Sequence, residues 1–140
     1  MPEPLPGAGA VPPGRGRPLR TVLLVEDEPA LRELTEEILA DMSFTVLSAA
    51  DGDEALRLCR EHGVGIDLLM TDVMLPRLTG RELADRVLQI NPGIRVLFTS
   101  GYGPDVVGPR LGCDPTVAML EKPYTHHSLA LTIEGLLQRK

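Results

Sequence analysis

The sequence predicts a single α/β domain, a parallel sheet covered on both faces by helices. Three observations predict it. Short apolar runs rich in β-branched residues recur five times after residue 20. Segments with apolar residues at helical spacing alternate with them. The connections are short and carry Gly, Pro, Asp and Asn. A strand without polar alternation buries both faces, and a helical crossover makes the strands it joins parallel. At 140 residues the chain supplies one hydrophobic core and is too short for two ordinary domains.

The elements follow in order. "TVLLVE" (21–26) reads as the first strand. Pro29, after Asp27 and Glu28, opens a helix whose apolar face is Leu31, Leu34, Ile38 and Met42. "FTVLSA" (44–49) is the second strand. Asp51 and Glu54 have capping-box spacing, with Ala55, Leu56 and Cys59 as the apolar face behind them. "IDLLMT" (66–71) is the third strand, and "PRLTG" (76–80) a turn. Leu83, Val87 and Ile90 face inward from a third helix that "NPG" (91–93) ends. "RVLFTS" (95–100) and "VAMLE" (117–121) are strands four and five. A last helix runs over 125–139 with Leu129, Ile133, Leu136 and Leu137 on one side. Between strands four and five, residues 101–115 hold four glycines and three prolines. That composition predicts an irregular fourth helix or a mobile loop, since both residue types disfavour a helix interior.

Residues 1–19 read as a flexible Pro/Gly/Arg-rich linker or tail, and 20–140 as the folded domain. The first 20 positions hold six prolines and four glycines, with Arg15, Arg17 and Arg20 against Glu3. The remaining 120 then carry 11 basic and 19 acidic residues, a net of −8 against −6 for the whole chain. So acidic a body argues against direct nucleic-acid binding, which needs Lys and Arg for phosphates. There is no signal-peptide core and no apolar run long enough to span a membrane. Cys59 and Cys113 lack CxxC spacing and read as reduced thiols of a cytoplasmic protein.

In an open parallel sheet, ligands bind beyond the carboxyl ends of the strands. Strand one ends in Glu26, Asp27 and Glu28, strand three in Asp72, strand four in Thr99 and Ser100, and strand five in Lys122 and Pro123. Taken singly, each has an ordinary explanation as a cap, a helix-dipole partner or a strand terminator. Their joint placement points to chemistry. If strands one and three are neighbours, Glu26, Asp27 and Asp72 converge, and such a cluster suits a hard divalent cation such as Mg²⁺. Asp72, ionised near neutral pH, is then a nucleophile that needs no general base. Lys122 offers positive charge and Ser100 a hydrogen bond to an incoming phosphoryl group.

"VLLVEDEP", "AADGDEAL", "LLMTDVMLPRLTG", "VLFTSGY" and "LEKPYT" together resemble the receiver domains of two-component response regulators, over about residues 20–139. The resemblance implies a flavodoxin-like fold with strand order 2-1-3-4-5. It also implies Mg²⁺-dependent transfer of a phosphoryl group to Asp72 from a histidine of a sensor histidine kinase or histidine phosphotransfer domain. Such a domain promotes its own phosphorylation and dephosphorylation without independent turnover. By the same resemblance, Glu26, Asp27, Asp72 and the Met74 main-chain carbonyl are metal ligands. Ser100 is the switch hydroxyl, Lys122 the phosphate-binding cation, and the bond before Pro123 is cis. From the residues themselves the domain is expected to be cytoplasmic and without membrane contact, and monomeric because Gly108 and Pro109 break the helix that would offer a dimer face.

The chain departs from the family pattern in three respects: Glu26 where Asp is commoner, Met119 where a switch Tyr or Phe usually stands, and Gly108 with Pro109 inside the fourth helix. A flavin-binding protein would want a hydroxyl-rich first loop rather than "EDEP" and more aromatic residues than two Tyr and two Phe. An aspartyl phosphatase would want an acid where Met74 stands. A degenerate receiver that only binds partners would not need Asp27, Asp72, Ser100 and Lys122 together. With the last helix ending at residue 140, the expected contexts are a free-standing receiver or the last module of a larger chain, and the Pro/Gly/Arg-rich head with "VLFTSGY" and "VAMLEKPYT" resembles the carboxy-terminal receiver of a hybrid sensor histidine kinase.

Overall fold

The computed structural model describes residues 20–101 and 116–138. Five strands, β1 (Thr21–Val25), β2 (Thr45–Ala49), β3 (Leu68–Asp72), β4 (Arg95–Ser100) and β5 (Val117–Glu121), form one sheet. All four strand pairings are parallel, and the order is β2-β1-β3-β4-β5. Helices α1 (Pro29–Asp41), α2 (Gly52–His62), α3 (Gly80–Ile90) and α4 (His126–Gln138) connect or follow the strands, with a 3-10 turn at Gly63–Gly65. The expected doubly wound sheet and its order are thus present. The expectation for residues 101–115 falls on 102–115, outside the described residues, as do the 1–19 tail and Cys113.

The period-2 geometry of the strands divides the core in two. Leu23, Val25, Leu69, Val96 and Phe98 face α2 and α3. Their alternates Val22, Leu24, Leu68, Met70 and Leu97 face α1 and α4. This is why the central strands read as unbroken apolar runs. Each helix lays one stripe on this sheet: Ala55, Leu56 and Cys59 from α2, Leu83, Ala84 and Val87 from α3, and Leu129, Ile133 and Leu136 from α4. Burial raises the pKa of the Cys59 thiol, which keeps it protonated and unreactive.

In α1 the structure corrects the expected face. Leu34 is 52% exposed, and the buried positions are Thr35, Ile38 and Leu39. A face at i, i+4, i+7, i+8 and i+11, running from Leu31 to Met42, takes Thr35 and leaves Leu34 on the solvent side. Apolarity alone misassigned the stripe because the inward residue is a threonine.

Helix starts are set by side chains. Pro29 takes the first position of α1, where its missing N–H costs nothing. Asp51 accepts the Glu54 N–H at 2.8 Å, while the Glu54 carboxylate returns to the Ala50 N–H, not to Asp51 itself. A complete capping box sits instead at α3, where Thr79 and Glu82 bond reciprocally. At the other end of α3, Asn91 donates to the Ile66 carbonyl at 2.8 Å and fixes the entry to β3.

Candidate functional site

The site forms where β1 and β3 lie side by side and their connections depart to opposite faces of the sheet. Glu26 follows the last residue of β1, and its N–H still bonds the Ala49 carbonyl of β2 at 3.1 Å. Asp72 is the final residue of β3, in register with Thr99 of β4. Carboxylate oxygens of Glu26, Asp27 and Asp72 lie within 4.8 Å of one another. Their burial grades from Glu26, 3% exposed, through the half-buried Asp72 to the exposed Asp27. A bound ion would therefore meet water on the Asp27 side.

Lys122 enters from the loop after β5. Its Nζ donates to Asp72 Oδ2 at 2.7 Å and to Glu26 Oε1 at 3.0 Å. The remaining carboxylate oxygens also have donors: Glu28 N–H reaches Glu26 Oε2 at 3.2 Å, and Met74 N–H reaches Asp72 Oδ1 at 3.1 Å. Burial favours the neutral form of Glu26 and raises its pKa, offset only in part by the bonds from Lys122 and Glu28. Burial also works to lower the Lys122 pKa, but the bonds to Asp72 and then Glu26 outweigh it and hold the ammonium above its ordinary value. Lys122 thus remains a cation, wedged between two carboxylates that would otherwise repel each other.

The supporting loops are pinned by main-chain bonds. Lys122 N–H donates to the Ser100 carbonyl at 2.7 Å, and Val73 N–H to the Thr99 carbonyl at 2.9 Å. Ser100 is buried at the end of β4, opposite Glu121 of β5. The Lys122–Pro123 peptide is cis. Met74 lies at the rim with 56% of its surface exposed. Met119 is half-buried in β5 opposite Phe98 and packs on the α2–α3 side of the sheet.

Three supporting interactions, made by Arg32, the pair Thr35 and Tyr124, and Gly80, were not evident in the sequence. Arg32 Nη1 donates to the Glu26 carbonyl at 2.8 Å, fixing the peptide that leads into Asp27. Thr35 and Tyr124 share a hydrogen bond of 2.7 Å between their hydroxyls. Gly80 N–H donates to the Val73 carbonyl at 2.8 Å, seating α3 on the Asp72 turn. Of these, only the Thr79–Glu82 box beside Gly80 had a local signature, a Thr followed three residues later by Glu.

A doubly wound sheet with three carboxylates and a lysine gathered at its switch point places an acidic, ligand-accessible pocket where this fold class binds its ligands. A family profile described as the response regulator receiver domain matches residues 22–134, and the chain belongs to that family of two-component signalling domains. It is 36% identical over 120 residues to the sensor kinase CckA of Brucella abortus, covering 86% of this chain and 13% of that one. It is 27% identical over 119 residues to the response regulator receiver protein CpdR of the same organism, covering 85% and 98%. Among solved structures, the receiver domain from the hybrid histidine kinase CckA superposes with a TM-score of 0.73 at 34% identity, over 84% of this chain and 99% of that one. A receiver domain protein from Clostridium thermocellum superposes with 0.76 at 27% identity, over 85% and 94%. This chain therefore spans a small part of one curated relative and nearly all of another. No helix among the described residues is long and apolar enough to cross a membrane.

Proposed function

We propose that the chain accepts a phosphoryl group on Asp72 from a phosphohistidine of a sensor histidine kinase or a histidine phosphotransfer domain. The observation that carries this is the Lys122 ammonium, held 2.7 Å from Asp72 Oδ2 with the opposite carboxylate oxygen on the Met74 N–H. An Asp72 oxygen attacks phosphorus, the P–N bond breaks, and the imidazole nitrogen leaves with the bonding electron pair. Lys122 follows the charge onto the phosphoryl oxygens. Ser100, in the role proposed for it, donates its hydroxyl to one of them.

Three hard oxygen donors, open to water on the Asp27 side, fit Mg²⁺. Bound there, Mg²⁺ supplies charge that offsets repulsion between the carboxylates and the incoming phosphoryl oxygens. Asp27, Asp72 and the Met74 carbonyl are proposed as direct ligands. Glu26, buried behind them on a longer side chain than the aspartate commoner at this position, is proposed to act through water.

For the parent protein we propose the receiver module of a hybrid histidine kinase, supported by 36% identity to the CckA sensor kinase. The free-standing alternative is supported by the full-length match to CpdR. The proposed absence of direct nucleic-acid binding rests on the acidic composition, the cytoplasmic location on cysteines without CxxC spacing, and the monomeric state on Gly108 and Pro109 in the segment where a fourth helix would offer a dimer face. Incubation with acetyl phosphate and Mg²⁺, followed by mass spectrometry, tests the chemistry. A single base-labile phosphoryl group on Asp72 supports it, and modification elsewhere or none at all overturns it. Immunodetection of the natural product separates the contexts, by a band far above 15.2 kDa or one at that mass.

A further inference from the structure

Lys122 reaches Asp72 from a loop, and loops hold a side chain less tightly than strands do. The main-chain bond to Ser100 fixes the start of this loop. Two residues beyond Lys122, Tyr124 packs its half-buried ring with the apolar cluster under α1 and α4. Its hydroxyl meets Thr35 Oγ1 at 2.7 Å, within the ordinary range for paired hydroxyls. Thr35 is 0% exposed and lies on the α1 face that packs against the sheet. One turn earlier on the same helix, Arg32 holds the Glu26 carbonyl. A single helix therefore touches both halves of the pocket, the acidic half through Arg32 and the cationic half through Thr35.

We infer that Thr35 and Tyr124 are positioning residues, a hydroxyl bridge that ties the Lys122 loop to α1 and so sets where the ammonium meets the phosphoryl group on Asp72. This rests on the phosphoacceptor reading of Asp72 given above. The bridge touches neither the acids nor the entering group. Its loss loosens Lys122, whereas the Glu26 main chain keeps Arg32, the Glu26 carboxylate keeps the Glu28 N–H and the Asp72 carboxylate keeps the Met74 N–H. Neither partner shows its importance in the chain order, since they stand 89 positions apart.

That asymmetry provides the test. Thr35→Val and Tyr124→Phe keep shape and burial and delete one hydroxyl each. Both are measured beside the parent and the double variant, for the rate of phosphorylation by acetyl phosphate and for Mg²⁺ affinity by calorimetry. Each single variant is expected to phosphorylate roughly fivefold more slowly, the loss of one hydrogen bond expressed as a rate. The double variant should be no slower than either single one, because both remove the same bond. Mg²⁺ affinity should not fall, since the acids keep their other donors and only a competing cation is loosened. Thr35→Ser, which restores the hydroxyl, should recover the parent rate.

Unchanged rates in the single variants overturn the inference. So do additive losses, or Mg²⁺ affinity falling in step with the rate, which marks general loosening of the fold. A parent chain that takes no phosphoryl group at all overturns the phosphoacceptor reading instead, so the two failures are distinct.

Discussion

A β-carbon built on Gly80 lies 2.1 Å from the main-chain oxygen of Asp72. The first turn of α3 therefore rests directly on the peptide that carries the proposed phosphoacceptor, and only a hydrogen fits between them. The nearest obstacle is backbone, which has no rotamer to move aside. At Gly52 the nearest obstacle is the Leu78 Cδ2 methyl at 2.5 Å, the end of a side chain that can turn.

Gly80→Ala is accordingly expected to destabilise the fold by about 1–3 kcal/mol and to cost more than Gly52→Ala. Urea unfolding of the two variants checks the order. Equal costs, or the reverse order, count against the close approach at Asp72.

Asp72→Asn keeps size and shape but cannot form an acyl phosphate. It is expected to abolish labelling by acetyl phosphate or by a phosphorylated kinase, with the far-ultraviolet circular dichroism spectrum unchanged. Labelling of the variant at the parent rate, in base-labile form, excludes Asp72 as the acceptor.

Mg²⁺ is expected to raise the melting temperature, because an ion that binds only the folded state stabilises it by about 1.4 kcal/mol at ten times its dissociation constant. Asp27→Asn should weaken this response and slow phosphorylation. Without Mg²⁺ the same variant should be slightly more stable than the parent, by less than about 1 kcal/mol, since Asp27 is exposed and its repulsion is screened. Thermal scans with and without millimolar Mg²⁺ decide, and a melting temperature indifferent to the ion counts against the site.

Burial raises the Tyr124 pKa, and the bond with Thr35 offsets this only in part. The folded state thus favours the neutral phenol more than the unfolded chain does. The stability this confers is fully present below the unfolded value of about 10 and is lost as pH rises through the folded value. Parent and Tyr124→Phe stabilities should therefore keep a constant difference up to about pH 9 and shift against the parent above about pH 10. The raised pKa of Lys122 cancels from this comparison because both proteins keep that residue. A difference that stays flat through pH 11 contradicts the burial-driven shift.

Strand and helix identities were legible in the order of residues because they depend on local periodicity. Runs such as Val22–Val25 alternate between two buried faces, and the last helix repeats its leucines and isoleucine on one stripe. The acids and the lysine were legible as well, since each ends a strand and a parallel sheet gathers strand ends at one edge. Leu34 and Thr35 show where such reading stops. Helical spacing admits either residue to the inward face, and only the helix's rotation against β1 and its meeting with Tyr124 chose the threonine. Lys122 pairing with Glu26 across 96 positions, and Gly80 against the Asp72 oxygen, were likewise decided by tertiary packing. Periodicity sets which face a residue joins, whereas contacts between distant segments depend on how whole elements slide and turn until their volumes fit, and no local pattern encodes that.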